Sequence, residues 1–438
     1  MQSIFNILYL IAWTFIVPIL YILANTLVPK WKPGLKMRLG ELDPSVFPTE
    51  SDNLERPVWF HAVSIGELNA LIPIFNNFRG MRMVLSVTTH TAYELAKVKL
   101  QDDLENNRIR LFYMPWDHPV IVKKVISRIR PRAIILMESE IWPALINEAH
   151  NQKIKLIIIN AKLSDSSFEM YRNFYFIFRP IFMKFDLLLV QSPGDSRKFL
   201  RLGVDKSKIF MMGNMKFSVL PTLKHNREEF REELGYSPDD FIWVCGSTHE
   251  EEEATLISIF QELRYEFPKL RLVLAPRHPE RFSVVENFIN SAARLIPVRL
   301  SMLTKTVTEK EGLQQNDILL VDTIGDLYDI FSISDIAFVG GTINEKIGGH
   351  NVLEPASCQV PVFIGPSYYK NTQIVDMLEE AEGLYVAETK EDIRLFLKSI
   401  LTNPSKRILM GVNAKKLVDE NRKIIFNVSE KLKEEIYA

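Results

Sequence analysis

At 438 residues the chain exceeds what one ordinary hydrophobic core fills, and it suits two domains of about 200 residues each with a short segment left over. Its 53 Lys plus Arg nearly balance 54 Asp plus Glu, so no global field selects nucleic acid, and attraction to an anionic ligand must be local. The two cysteines, Cys245 and Cys358, stand singly in apolar stretches, which argues against a disulfide framework and fits a reducing compartment.

The first element is apolar. From Ile4 to Val28 there are 25 consecutive residues without a charge. As a helix they would reach about 37 Å, against a hydrocarbon core of about 30 Å. Pro18 is tolerated in a membrane helix, and Lys30, Lys32, Lys36 and Arg38 follow at once, which keeps the C-terminal side cytoplasmic. Residues 1–30 are therefore expected to form an uncleaved, single-pass membrane anchor. Met1-Gln2-Ser3 carries no side-chain positive charge, against a cleaved signal peptide. A helix lying in the membrane interface is the remaining alternative.

Beyond the anchor, short apolar runs rich in β-branched residues alternate with helical patterns. Val58–Val63, Met83–Val87, Ile109–Met114, Ala133–Met137, Lys155–Ile159 and Leu187–Gln191 read as strands. A polar, proline-containing stretch from Lys216 to Pro238 interrupts the rhythm. It restarts at Phe241–Gly246, Arg271–Ala275, Ile318–Val321, Ile336–Val339 and Val362–Ile364. The expected architecture is α/β, with two Rossmann-like domains at 31–215 and 239–438 joined by a linker at 216–238. Ligands of such sheets bind outside the carboxyl ends of the strands, so chemistry is sought just after each strand, with the interdomain cleft as the default site.

Between Phe168 and Phe185 lie eight aromatic residues with Arg172, Arg179 and Lys184 among them. A buried aromatic helix with charged edges is the simpler reading, and an amphipathic segment dipping into lipid is the other.

The motifs exclude as well as suggest. No GxGxxG, GxxxxGK or Asp-x-Asp is present, so the usual signatures of dinucleotide, P-loop and metal-clamped sugar-nucleotide chemistry are missing. His249 precedes four glutamates that read as a helix start capped by Ser247 and Thr248 rather than as a metal site. Four post-strand clusters mark the first domain: Trp59 to Glu67, Glu138 to Pro143, Asn160 to Ser164, and Gly213 to Phe217 with Lys216. The second domain has Gly246 to His249, Pro276-Arg277-His278-Pro279-Glu280-Arg281-Phe282, Asp322 to Leu327, and Gly348-Gly349-His350-Asn351-Val352-Leu353-Glu354. A glycine pair before a helix lets backbone amides approach a phosphate, and Glu354 can turn toward ribose hydroxyls, so these read as a nucleotide pocket. Each acidic residue alone also fits a helix-start charge; recurrence after successive strands shifts the balance toward chemistry.

This ordered set resembles the 3-deoxy-D-manno-octulosonic acid (Kdo) transferase family, with its HxVSxGE, Glu-x-Glu-x-Trp-Pro, NAxLS, GxxKF, STHE, PRHPERF and GGHNxLE blocks matched from about Trp59 to Pro366. The resemblance implies a glycosyltransferase B-type fold, CMP-Kdo as donor, a tetraacylated lipid A precursor as acceptor, inversion by direct displacement, and work at the bacterial inner membrane with no separate cofactor. By motif position Glu67 matches the family's proton acceptor, and Glu138 and Lys216 match residues that stabilise the transition state. Pro276, Arg277, Ile324, Gly325, Asp326, Asn351, Val352, Leu353 and Glu354 match its CMP-binding stretches. The sequence departs from the pattern at Lys162, Ala144, Ser218 and Asp326, where arginine, asparagine, aspartate and glutamate are expected.

The assignment is physically coherent. Negative charge grows on the departing CMP phosphate, Arg277 and Lys216 are available cations, and a monophosphate demands less compensation than a diphosphate, so a metal-free route is expected. Two other classes stay open: a nucleotide-sugar epimerase of the same two-domain build, and a non-enzymatic anchored nucleotide-binding protein.

Overall fold

The computed structural model describes residues 2–27, 32–44, 47, 56–303 and 317–437. Val28 and Lys30, at the expected end of the anchor, lie outside them. The chain divides into two compact units, Met1–Val219 with Lys423–Ala438, and Leu220–Arg422.

The first unit is built on a parallel sheet of β1 (Val58–Ala62), β2 (Met83–Val87), β3 (Ile109–Tyr113), β4 (Ala133–Met137), β5 (Lys155–Ala161), β6 (Leu187–Val190) and β7 (Ile209–Met211). Its order is β3-β2-β1-β4-β5-β6-β7. All residues of β1, β2 and β4 are buried, as expected of central strands covered on both faces. One core layer centres on Phe60, Phe75 and Phe78, the other on Trp59, Phe112 and Phe182. Because β1 lies between β2 and β4, strand order reverses there, and this switch point is where an open α/β sheet leaves a crevice.

The second unit repeats the plan with β8 (Phe241–Thr248), β9 (Leu270–Pro276), β10 (Ile296–Arg299), β11 (Asp317–Leu320), β12 (Ile336–Val339), β13 (Val362–Ile364) and β14 (Leu384–Val386). The order is β10-β11-β9-β8-β12-β13-β14, again parallel, with the switch between β8 and β12.

Four expectations need correction. Strands β7, β10 and β14 were not foreseen: each is three or four residues long, and all three lie at sheet edges, where only one neighbour and partial burial leave little apolar signal. The C-terminal boundary also moves. Helix Ile424–Tyr437 leaves the second domain and packs on the first, burying Ile424, Ile425, Val428, Leu432 and Ile436 in its core; Asn77 donates to Ser429 and Lys155 pairs with Glu435. Ser247 and Thr248 do not cap the glutamate-rich helix, because β8 runs through both and the helix begins at Glu252. Finally, the aromatic segment holds two helices, Asp165–Asn173 and Tyr175–Phe182; across it Phe168, Tyr171, Phe182 and Phe185 are buried, while Phe174, Tyr175 and Phe176 are exposed.

The N-terminal helix, α1 (Gln2–Thr26), is long and apolar enough over Phe5–Thr26 to cross a membrane by length and composition. It also docks on the first unit. The Tyr9 hydroxyl donates to Asp117 Oδ2 at 2.6 Å, and that buried carboxylate accepts the Ala144 and Leu145 N–H groups at 2.9 Å each. Phe5 and Tyr9 pack on the core, whereas Ile7, Leu8, Ile11, Phe15 and Ile19 stay exposed.

Candidate active site

In the first unit the site grows from β1. The chain turns at Ser64, whose side chain caps helix Ile65–Asn77, and Glu67 falls in the first turn. Its carboxylate reaches back: Val63 N–H donates to Oε2 at 2.8 Å, while the Ser64 hydroxyl touches Oε1 only at 3.4 Å. Glu67 is thus a helix-start charge, as the plainer reading required, yet one oxygen is weakly engaged. Burial raises its pKa to about 7 against the pull of the Val63 N–H, and the charges of Glu138 and Glu140 push it further up.

Glu138 follows β4, the strand beside β1. Its backbone holds φ 55°, a conformation that costs a non-glycine residue about 1–3 kcal/mol and persists where surroundings impose it. Here Glu138 N–H donates to Ile159 O at 3.0 Å, and the side chain meets Lys162 Nζ at 2.7 Å. Lys216 sits on the 3-10 turn Met215–Ser218, which is latched from two sides: Asn160 Oδ1 accepts Met215 N–H and Asn214 Oδ1 accepts Lys216 N–H, both at 3.0 Å. Burial lowers the Lys216 pKa, the Lys162 charge adds to that, and Glu138 and Glu67 oppose it.

The three expected residues of this unit therefore share one electrostatic neighbourhood. Two members were not foreseen. Lys162 stands in the sequence only as a departure from arginine, and Glu140, whose pKa burial and then Glu138 raise to about 7, only as part of its motif. The Glu-x-Glu spacing straight after a strand was the signal for Glu140; nothing in the sequence paired Lys162 with Glu138.

In the second unit Arg277 follows β9, with its N–H on Thr248 O at 2.9 Å and its side chain exposed. His249, after β8, and His350, after the glycine pair Gly348-Gly349, stack face to face with Nε2 atoms 2.7 Å apart. Burial lowers the pKa of both, that of His350 to about 4, and neighbouring histidines, Arg277 and Lys370 add to the effect. Which ring donates in that contact depends on the tautomer. Glu252 holds this loop cluster: buried, it accepts N–H groups of His249, Gly341, Thr342 and Ile343 at 2.9–3.0 Å.

Asn351 donates to Glu354 Oε1 at 3.1 Å, and burial raises the Glu354 pKa while Asn351 and Arg277 pull it down. Val352 and Leu353 are buried, as is Pro276, so the polar members are Arg277, Asn351 and Glu354. The Ile324-Gly325-Asp326 turn stands apart in its bonding: Ile324 is 83% exposed, Gly325 holds φ 94°, and Asp326 is paired with Lys224 at 2.7 Å. Its following helix, Leu327–Ser332, is tied to the Glu354 helix by the Tyr328–Ser357 hydroxyl contact at 3.0 Å.

A family model for 3-deoxy-D-manno-octulosonic-acid transferases matches residues 34–219. A Kdo transferase of Chlamydophila psittaci is 31% identical over 385 residues, 86% of this chain and 84% of that protein. The chain belongs to the Kdo transferase family. It is accordingly a glycosyltransferase. This Kdo transferase is also 32% identical over 384 residues to a bifunctional glycosyltransferase/methyltransferase of Fusobacterium nucleatum, matching over 86% of its own length and spanning 57% of that protein's. Among solved structures, a glycosyltransferase from Rickettsia africae superposes with a TM-score of 0.56 at 13% identity, over 88% of this chain and 99% of that one. The UDP-GlcNAc 2-epimerase of Neisseria meningitidis gives 0.53 at 13% identity, over 83% and 99%. At that identity both show the shared two-domain α/β fold of the glycosyltransferase B type and nothing about reaction.

Proposed function

We propose that this Kdo transferase moves Kdo, with inversion, from CMP-Kdo to a tetraacylated lipid A precursor. Glu67 takes the proton of an acceptor hydroxyl as that oxygen forms a bond to the Kdo anomeric carbon. The bond from that carbon to the CMP phosphate breaks, and its electrons leave with the phosphate. The observation that carries this reading is the Glu67 carboxyl at the β1 switch point with its pKa near 7, the range in which a general base works best at neutral pH. Glu138 and Lys216 stabilise the charge that develops at the reacting centre, and Lys216 and Arg277 are the cations for the leaving phosphate. Pro276 and Arg277, the Ile324–Asp326 turn, and Asn351 to Glu354 bind CMP, with Glu354 accepting from ribose hydroxyls. No resident cofactor or metal has a role in this scheme.

Incubating the purified protein with CMP-Kdo and the tetraacylated precursor, and weighing the lipid by mass spectrometry, is the test. A mass gain of one or more Kdo units is expected. Inert CMP-Kdo together with isomerisation of a UDP-sugar would instead establish the epimerase alternative.

We further propose that α1 attaches the protein to the bacterial inner membrane with the catalytic body on the cytoplasmic side. One observation favours an in-plane attachment over full crossing. Tyr9, near the start of the helix, bonds to Asp117 inside the first unit, so a helix leaving that unit to span the bilayer would strip a buried carboxylate of a donor.

A further inference from the structure

Beneath α1 the first unit holds a half-open cavity of about 570 Å³, within the ~300–1,000 Å³ typical of small-molecule sites. Trp13 and Leu20 of α1 form one wall, and Met114, Trp116 and Trp142 line it from the globular body. We infer that this cavity receives one acyl chain of the lipid acceptor, a subsite that rests on the acceptor reading above.

Three observations converge. Large apolar side chains, three of them tryptophan, make up most of the wall and suit a hydrocarbon, while Arg38, Thr88, Thr89, His90 and Thr91 supply its polar part. The roof is an apolar helix whose other face exposes Ile7, Ile11, Phe15 and Ile19, so once α1 is attached to a membrane the cavity borders the leaflet from which a lipid arrives. On the polar side of the wall Arg38 is held in place, with Nη2 donating to Thr88 O at 2.6 Å and the guanidinium lying over the Tyr113 ring. Finally, the wall is linked to the base. Thr89, another lining residue, donates its N–H to Val63 O at 3.3 Å, and Val63 N–H is the donor to Glu67 Oε2. Through that bond the cavity wall adjoins the end of β1 from which Glu67 is held.

The test uses the full chain in detergent micelles, saturating CMP-Kdo, and two acceptors: the acylated disaccharide and the same disaccharide with its chains removed. The wild type is expected to show the lower KM for the acylated acceptor. Leu20→Trp fills the cavity and is expected to raise that KM at least tenfold, since each methylene kept out of an apolar site costs about fourfold in binding. The same variant should leave the KM for CMP-Kdo and turnover of the chain-free acceptor at wild-type values. Trp116→Ala enlarges the cavity and should shift preference toward the longer of two acyl chains, which keeps the inference testable should the first variant misfold. If the wild type transfers Kdo but Leu20→Trp affects neither acceptor, or both equally, the subsite is wrong. A co-purified phospholipid displaced by Leu20→Trp without any change in acceptor KM would overturn it as well. Failure of the wild type to use either acceptor would instead sink the acceptor reading, and this inference with it.

Discussion

Lys162 Nζ stands 2.7 Å from Glu138 Oε2, while the Glu138 backbone occupies the left-handed region at φ 55°. Backbone strain and side-chain chemistry thus coincide at one residue, and substitution separates them. Glu138→Ala and Glu138→Gly both remove the carboxylate, and both are expected to lower turnover. Only glycine relieves the left-handed conformation, so Glu138→Gly should be more stable than Glu138→Ala by about 1 kcal/mol in denaturant unfolding. Equal turnover to wild type in either variant would reduce Glu138 to a structural residue.

Glu67→Gln keeps the shape of the helix start and removes the basicity. Turnover should fall by roughly 100- to 10,000-fold, in kcat rather than in CMP affinity. A residue that serves only the helix terminus contributes about 0.3–1 kcal/mol and leaves the rate intact, so retention of more than about a tenth of wild-type rate would remove Glu67 as the base.

The same group sets a pH dependence. As the proposed base Glu67 acts ionised, so kcat is expected to rise with pH through about 7. Glu138 and Glu140 both raise the Glu67 pKa, and Glu140→Gln should therefore move the rising limb to lower pH. Stability runs the other way. The folded pKa lies above the ordinary 4.5, so the contribution of Glu67 is fully present below 4.5 and is lost as pH rises through about 7. Glu67→Gln lacks that loss, and its melting temperature relative to wild type should improve between acid and neutral pH. A limb that stays in place in Glu140→Gln would break the proposed coupling.

Glu354→Ala should weaken CMP by about 1–3 kcal/mol if the carboxylate accepts buried ribose hydrogen bonds. Isothermal titration with CMP reads this directly, and an unchanged Kd would exclude the residue from the nucleotide site.

Leu432, on the returning C-terminal helix, is buried in the first unit, and Leu432→Ala should cost about 2–5 kcal/mol of that unit's stability. Calorimetric scans should show its transition lowered while CMP still protects the second unit. A selective loss in the second unit would contradict the observed packing.

For the membrane attachment, a reporter fused at the C-terminus should be active in the cytoplasm. Tyr9→Phe removes a bond to a buried carboxylate, worth about 1.5–3 kcal/mol, and should make α1 easier for protease to release. Periplasmic activity of the reporter would overturn the sidedness.

Much of this protein was legible in one dimension. Central strands such as β2, β4, β12 and β13 match the expected residues because a strand buried on both faces must be an uninterrupted apolar run, and that run is visible without knowing its neighbours. The places of the post-strand motifs were legible too, since a parallel sheet puts every strand's carboxyl end at the same side, so that Glu67, Glu138 and Arg277 follow β1, β4 and β9 as their strands require. What lay beyond reach depends on contacts distant in sequence. Edge strands β7, β10 and β14 exist because a neighbour offers a ladder, and the final helix joins the first unit because its apolar stripe fits a surface more than 300 residues earlier, as the Asn77–Ser429 bond attests with a separation of 352. The Lys162–Glu138 pair, the stacked His249 and His350, and the Glu252 clamp are likewise tertiary. A sequence states which charges exist; only the fold brings them close enough, in a medium poor enough in water, for one to change another.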